Sequence, residues 1–196
     1  MTGPALIASV VEGHGEVRAL PILLRRIAGE IYHRHQVVVT PPHRVGRSQM
    51  VKGDVLRRAV QLQCARVVDG GGVLLVLDAD DDCAVQLGEQ LRADVAPALV
   101  HVVVAVREFE SWFLAAAPAL AGHRLIRAHA TFTGDPEMKR DAKGELNQLM
   151  TERYRATLHQ SKFAAAIDLA QAGRARSFRR LVTCVGRLLG AERVSW

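Results

Sequence analysis

The sequence predicts an α/β fold, a Rossmann-like parallel four-stranded sheet flanked by helices with a helical C-terminal extension, and three observations carry that expectation. Short aliphatic runs alternate with segments of helical periodicity up to about residue 118, the pattern of right-handed βαβ crossovers. The run Val73 to Leu77 is continuously aliphatic, as a strand covered on both faces must be. From Gly122 onward strand-like runs vanish and helical segments remain. The expected organisation is an α/β catalytic core over residues 1–120 and a basic helical part over residues 121–196 packed on it.

The first strand is the apolar run Ala5 to Val11, which ends in Glu12-Gly13-His14-Gly15-Glu16. Val17, Leu20, Leu23, Leu24 and Ile27 follow at helical spacing, giving the order strand, tight turn, helix. Val37 to Thr40 makes a second strand, which Pro41 and Pro42 break into a loop holding Arg44, Arg47 and Lys52. Val55 to Val68 is helical in period, and Gly70-Gly71-Gly72 punctuates before the third strand, Val73 to Leu77, stops at Asp78. Residues 84–96 read as a helix. His101 to Val106 reads as a fourth strand ending at Arg107-Glu108-Phe109-Glu110, before an Ala-rich helix near Trp112. Ala142 to Met150, Ser161 to Ala172 and Ser177 to Leu189 supply the helices of the last part.

With 196 residues, 49% of them hydrophobic and 23% charged, the chain suits one compact domain and excludes disorder as its main state. Aromatics make up only 5%, so the core is expected to be aliphatic. No apolar run reaches the roughly 20 residues that a bilayer span takes. The N-terminus lacks a basic start and meets Glu12 early, so it reads as a first strand and not as a signal peptide; a cytoplasmic protein with no membrane partner is expected. Cys64, Cys83 and Cys184 are odd in number and widely spaced, which indicates neither a disulfide framework nor a CxxC zinc site, and they are expected to be small core residues. The scattered histidines lack the spacing of zinc ligands.

The net charge of +6 is unevenly placed. Residues 1–120 hold 12 Lys/Arg against 13 Asp/Glu, whereas residues 121–196 hold 14 against 7. A near-neutral part with carboxylate clusters beside a basic part suits a metal site next to a polyanion track, and it equally suits a solvated basic helix pair.

In open parallel sheets ligands gather outside the carboxyl ends of strands, and three expected strand ends carry acids: Glu12 with Glu16, Asp78 with Asp80 to Asp82, and Glu108 with Glu110. Mg²⁺ takes hard oxygen ligands and keeps several waters, so two or three converging carboxylates suffice. Like charges packed without a counter-ion raise one another's pKa, which favours a bound divalent ion. Asp78 and Asp80, two residues apart where the chain leaves the sheet, can point the same way while Ala79 faces the other side. Gly13 and Gly15 permit a sharp turn that puts Glu12 on the sheet edge and Glu16 about one turn further on. Each cluster also has a plainer account. Glu16 is a favourable dipole partner at a helix start, Asp80 to Asp82 can cap the next helix, and Glu108 and Glu110 can be solvated turn residues.

Gly13-His14-Gly15 is not a dinucleotide loop, because the third glycine of GxGxxG would fall at Arg18. No GxxxxGK[ST] occurs. Leu74-Leu75-Val76-Leu77-Asp78-Ala79-Asp80 resembles the hhhhDxD motif of haloacid-dehalogenase-type phosphatases, which leaves a DxD phosphatase as one alternative.

The pairing of Glu12-Gly13-His14-Gly15-Glu16 after the first strand with Asp78-Ala79-Asp80 after the third resembles the Toprim fold, shared by topoisomerases, bacterial primases, recombination proteins and OLD-type nucleases. Arg107 to Ala115, Tyr154, Ile167-Asp168-Leu169 and Ser177-Phe178-Arg179-Arg180 extend the likeness to the Toprim-like family catalogued as domain of unknown function 4276. His14 and Gly15 stand where many relatives carry a small, Lys or Thr residue. The resemblance implies that Glu12 is the general acid/base and that Glu16, Asp78 and Asp80 hold Mg²⁺ or Mn²⁺, with Asp82 a further ligand; Glu108 and Glu110, at the end of the fourth expected strand, are the candidate additional acids.

The expected function is therefore metal-dependent hydrolysis of phosphodiester bonds in DNA or RNA, and the resemblance implies a setting in genome maintenance or phage defence. Arg44, Arg47 and Lys52 are expected to grip phosphates, with Lys143, Lys162, Arg174, Arg176, Arg179 and Arg180 extending the track. The alternative is a non-catalytic, Toprim-shaped nucleic-acid-binding adaptor beside an ATPase partner. Tyr154 and Trp112 are either base-stacking residues or core.

Overall fold

A computed structural model describes residues 4–50, 52–67 and 70–192. Five strands form one sheet: β1 (Ala5–Val11), β2 (Val37–Val39), β3 (His43–Arg44), β4 (Gly71–Asp78) and β5 (Val100–Ala105). The order across it is β2-β1-β4-β5, with β3 also pairing with β1, and all pairings are parallel. The fold is α/β and Rossmann-like, as the sequence predicts. The count of strands differs from the expected four for a local reason. Pro41 and Pro42 interrupt the second strand, since proline has no amide N–H for the ladder. The chain rejoins the same edge at His43, so β2 pairs with Ala5–Ile7 and β3 with Val10–Val11. The sheet remains four strands wide.

The helices are α1 (Glu16–Arg26), continued by a π-helical turn at Ile27–Ile31, α2 (Arg47–Met50), α3 (Gly53–Cys64), α4 (Ala84–Val95), α5 (Ser111–Ala115), α6 (Ala117–Leu120), α7 (Ala142–Leu149), α8 (Ala156–Ala166), α9 (Leu169–Ala172) and α10 (Arg176–Leu188). The helix expected over Val55 to Val68 ends at Cys64, and Val68 lies outside the described residues. The single helix expected over Ser161 to Ala172 is two. Ile167 and Asp168 leave the helical path, and the Asp168 carboxylate accepts the Gln171 N–H at 2.8 Å to cap α9.

Alternation along each strand sorts the core into two layers. Ile7, Val11, Leu74, Val76, Val103 and Ala105 face α1, α5 and the C-terminal helices. Val10, Leu75, Leu77, Val102 and Val104 face α3 and α4. The first layer is not wholly aliphatic: Phe109, Trp112, Phe113, Phe163 and Phe178 are all fully buried there. Phe109 and Trp112 pack with tilted rings at 4.4 Å between centroids, and Trp112 meets Phe178 edge-on at 5.6 Å. The C-terminal helices share this core with the sheet. Cys184 is buried and Cys64 half-buried, but Cys83 is exposed in the turn before α4, which corrects its expected place in the core.

The irregular chain between α6 and α7 is pinned by Glu137, which is 2% exposed. Its carboxylate accepts the backbone N–H groups of Arg176 and Ser177, at 3.0 and 2.8 Å, satisfying donors that helix α10 leaves open at its start. The Ser177 hydroxyl donates to Glu137 at 2.6 Å and accepts the Trp112 indole N–H at 2.8 Å.

Among the described residues no helix is long and apolar enough to cross a membrane. The chain leaves β1 for one edge and, by way of α3, returns across it to β4. The switch point therefore lies between the carboxyl ends of β1 and β4, where open α/β sheets bind ligands.

Candidate functional site

Glu12 and Asp78 stand at those two ends. After β1 the chain turns through Gly13, and the Gly13 N–H donates to Glu16 Oε2 at 3.1 Å, folding the Glu16 carboxylate back over the turn. A β-carbon on Gly13 would collide with that carboxylate. Gly15 has an ordinary helical backbone, with φ −69°, and serves close approach instead. A β-carbon there would strike the Gln160 side chain and approach the Ala156 carbonyl to 2.9 Å. The two glycines thus let the Glu16 carboxylate and helix α8 crowd one turn.

Parity along β4 sends Asp78 toward the α1 side and Ala79 toward the α3/α4 side, where it packs at 1% exposure. Asp78 Oδ1 accepts the Phe109 N–H at 2.8 Å, tying the end of β4 to the loop after β5. Asp80 departs from its expected position beside Asp78. It has φ +50°, is exposed, and is held by backbone bonding between its N–H and the Arg107 carbonyl at 2.9 Å. Asp81 pairs with Arg107 and Arg140 at 3.1 and 2.6 Å. Asp82 pairs with Arg47 at 2.6 Å; the same guanidinium donates to the Asp78 carbonyl at 2.6 Å and lies 3.6 Å from Glu12 Oε2.

The loop after β5 contributes two more acids, and neither is a solvated turn residue. Glu110 is fully buried. Its Oε1 accepts the Tyr154 O–H at 2.6 Å and the Gln160 side-chain N–H at 2.8 Å. Glu108 accepts the backbone N–H of Lys143 at 2.9 Å and its ammonium at 2.9 Å. That ammonium also lies 3.6 Å from Glu110 and 3.8 Å from Asp78.

Burial raises the Glu16 carboxyl to about 7; the Gly13 N–H opposes this, while Glu110 and Glu12 add to it. Burial likewise lifts Asp78 well above the carboxylate range, reinforced by Glu16 and Glu110 and opposed by Lys143. Glu12 is raised by burial, lowered by Arg47 and raised again by Asp80. Burial by itself lowers the Lys143 ammonium, but Glu110, Glu108 and Asp78 reverse that and hold it charged. Burial and Glu110 push the Tyr154 phenol up, so it remains a proton donor.

The structure brings together Glu12, Glu16, Asp78, Glu108, Glu110, Arg47 and Lys143. Asp80 reaches this group only as a charge sensed by Glu12, and Asp82 is paired outward with Arg47. Arg44, Lys52, Lys162 and Arg180 are exposed and make no ion pair with the acids among the described residues; Arg179 donates to the Gly173 carbonyl. Trp112 is fully buried, and Tyr154 holds Glu110. Sequence reasoning missed Gln160 and Glu137, which no local pattern marks. It placed Lys143 on the nucleic-acid track, whereas the ammonium lies among the acids.

The donor set consists of hard carboxylate oxygens, and two of them, Glu12 Oε2 and Glu110 Oε2, are buried without a hydrogen-bond partner. These residues fit Mg²⁺ or Mn²⁺, which bind through one or two carboxylates and complete their shells with water and substrate oxygens. Among the described residues no three His, Cys, Asp or Glu side chains already converge as ligands of one ion. A family profile, Domain of unknown function (DUF4276), matches residues 11–185, which include every member of the acidic group. No curated protein and no solved structure matches the chain.

Proposed function

The chain belongs to the DUF4276 family, and we propose that it is a Toprim-like, Mg²⁺- or Mn²⁺-dependent nuclease hydrolysing phosphodiester bonds in DNA or RNA. One observation carries this reading: carboxylates from three segments, Glu12 and Glu16, Asp78, and Glu110, crowd the β1/β4 switch point with two buried oxygens unpartnered. Among the described residues, only Lys143 and one side of Arg47 stand against them as cations. A divalent ion answers the excess charge at such a site.

Asp78, with Glu16 and Glu110, would hold the ion, which supplies Lewis-acid polarisation of a phosphoryl oxygen and a nucleophile at neutral pH. Glu12 is the proton carrier: burial raises its pKa above the ordinary carboxylate value, and its side chain keeps 17% exposure. Tyr154 and Gln160 fix Glu110, and the Phe109 N–H fixes Asp78, so the acids are oriented before substrate arrives. Arg47, held by Asp82 and the Asp78 carbonyl, keeps a cation at the rim beside Glu12 for a substrate phosphate. The DxD phosphatase alternative suits the geometry less, because its nucleophile would be Asp78, which is 8% exposed with Oδ1 already bonded to Phe109.

The likeness to OLD-type nucleases carries the further expectation of an ATPase partner and a role in genome maintenance or phage defence. The test is Glu12→Gln, which keeps the shape of the side chain and removes its proton chemistry. Loss of metal-dependent cleavage in a folded variant supports the assignment. Unchanged cleavage overturns it, and salt-sensitive nucleic-acid binding with no turnover in wild type points to the adaptor.

A further inference from the structure

We propose that Lys143 is a resident counter-cation: its ammonium occupies the cation position of the acidic group in the metal-free protein and must leave when a divalent ion enters. The inference rests on the metal reading above and concerns how that site is kept folded and how it is loaded.

Three carboxylates surround one nitrogen. Lys143 Nζ lies 2.9 Å from Glu108, 3.6 Å from Glu110 and 3.8 Å from Asp78, acids drawn from the ends of two adjacent strands. The lysine comes from outside the sheet, on the first turn of α7. That turn is itself anchored, because Asp141 caps it by accepting the Gly144 N–H at 2.8 Å and Glu108 accepts the Lys143 backbone N–H. The helix therefore aims the side chain inward.

One ammonium does this job incompletely. Only its contact with Glu108 is a hydrogen bond; Glu110 Oε2 is buried with none. A single positive charge leaves Asp78, Glu110 and Glu16 under-neutralised, whereas a divalent ion brings twice the charge and direct coordination. Departure is feasible as well. The Lys143 side chain is 43% exposed, and its four-carbon stem can swing into solvent without disturbing α7. Asp78 then keeps the Phe109 N–H and Glu110 keeps Tyr154 and Gln160, so these ligands remain oriented after the ammonium has gone.

The experiment is calorimetric titration of Mn²⁺ into wild type, Lys143→Met and Lys143→Arg, with circular dichroism to confirm folding and metal-free melting temperatures alongside. Lys143→Met is expected to bind Mn²⁺ at least tenfold more tightly than wild type while melting at a lower temperature without metal; Lys143→Arg gains no affinity. Binding by Lys143→Met alone, with wild type silent, supports the inference too. Equal or weaker binding by Lys143→Met overturns it while leaving the metal reading intact, and absence of binding in every protein overturns both. Should Lys143→Met not fold, the ¹⁵Nζ resonance of Lys143 in wild type serves instead. Its shift to the position of a solvated lysine on adding Mg²⁺ is expected, and an unmoved, still hydrogen-bonded resonance at saturating Mg²⁺ contradicts the proposal.

Discussion

Asp78 Oδ1 accepts the backbone N–H of Phe109 at 2.8 Å, and this bond joins the end of β4 to the loop that delivers Glu108 and Glu110. It uses one carboxylate oxygen and leaves the other turned toward Lys143 at 3.8 Å. Asparagine preserves the acceptor and alanine does not. Asp78→Ala is expected to be about 1–3 kcal/mol less stable than Asp78→Asn, the cost of an unpaired buried N–H, measured by urea denaturation at one pH without metal.

The raised carboxyls predict an unusual pH dependence. A carboxyl whose folded pKa exceeds its unfolded value binds more protons when folded, so its contribution is full below the unfolded pKa and is lost as pH rises through the folded one. With Glu16 moved from 4.5 to about 7, and Asp78 and Glu12 moved in the same direction, metal-free protein should lose stability between about pH 4.5 and 7. Glu16 accounts for a loss on the order of 3 kcal/mol. Melting temperatures measured across that window in chelator should fall, and saturating Mg²⁺ should flatten the slope.

Arg47 lowers the Glu12 carboxyl from 3.6 Å away. Removing it in Arg47→Ala takes away the largest influence that lowers Glu12, leaving the Asp78 backbone N–H and Lys143 as weaker ones against burial and Asp80, so the Glu12 pKa rises. If ionised Glu12 takes the proton in the rate-limiting step, the acidic limb of the pH–rate profile moves upward by about one unit. A limb that stays in place shows that Glu12 is not the titrating base.

Tyr154→Phe deletes the 2.6 Å bond to buried Glu110 and leaves Gln160 as its remaining side-chain donor. The expected cost is about 1–3 kcal/mol by chemical denaturation. Mn²⁺ affinity should fall as well, because Gln160 alone then orients the Glu110 carboxylate by a side-chain hydrogen bond.

Arg44 is exposed on β3, which pairs with the end of β1, and Lys52 is exposed at the start of α3. If they meet phosphates, replacing either with alanine weakens binding evenly across sequences and reduces the slope of log K against log salt by about 0.9. An unchanged slope makes them solvated surface.

The fold was legible because its signals are local. Aliphatic runs such as Val73 to Leu77, bounded by glycine and aspartate, announce strands, and acids at strand ends announce a site. What was not legible depends on distant partners. The role of Gly15 appears only once α8 lies against α1, for its backbone is ordinary and its constraint is Gln160. Glu137 caps a helix that begins 39 residues later, and no spacing rule connects the two. Lys143 reads from sequence as one more basic residue in a basic segment; its meaning comes from Glu108, Glu110 and Asp78 meeting around it. Asp80, two residues from Asp78, was expected to share its direction, but β4 ends at Asp78 and a positive φ turns the next acid outward. Extended-strand parity stops where the strand stops.

The most direct test of the central claim is Mn²⁺ titration of wild type beside Asp78→Asn, run with cleavage assays on supercoiled plasmid and single-stranded RNA. Wild type is expected to bind Mn²⁺ and to cut at least one substrate only when metal is present, and Asp78→Asn, still folded, to lose both. Wild type that neither binds Mn²⁺ nor cuts, or an Asp78→Asn variant that cuts as well as wild type, would contradict that claim.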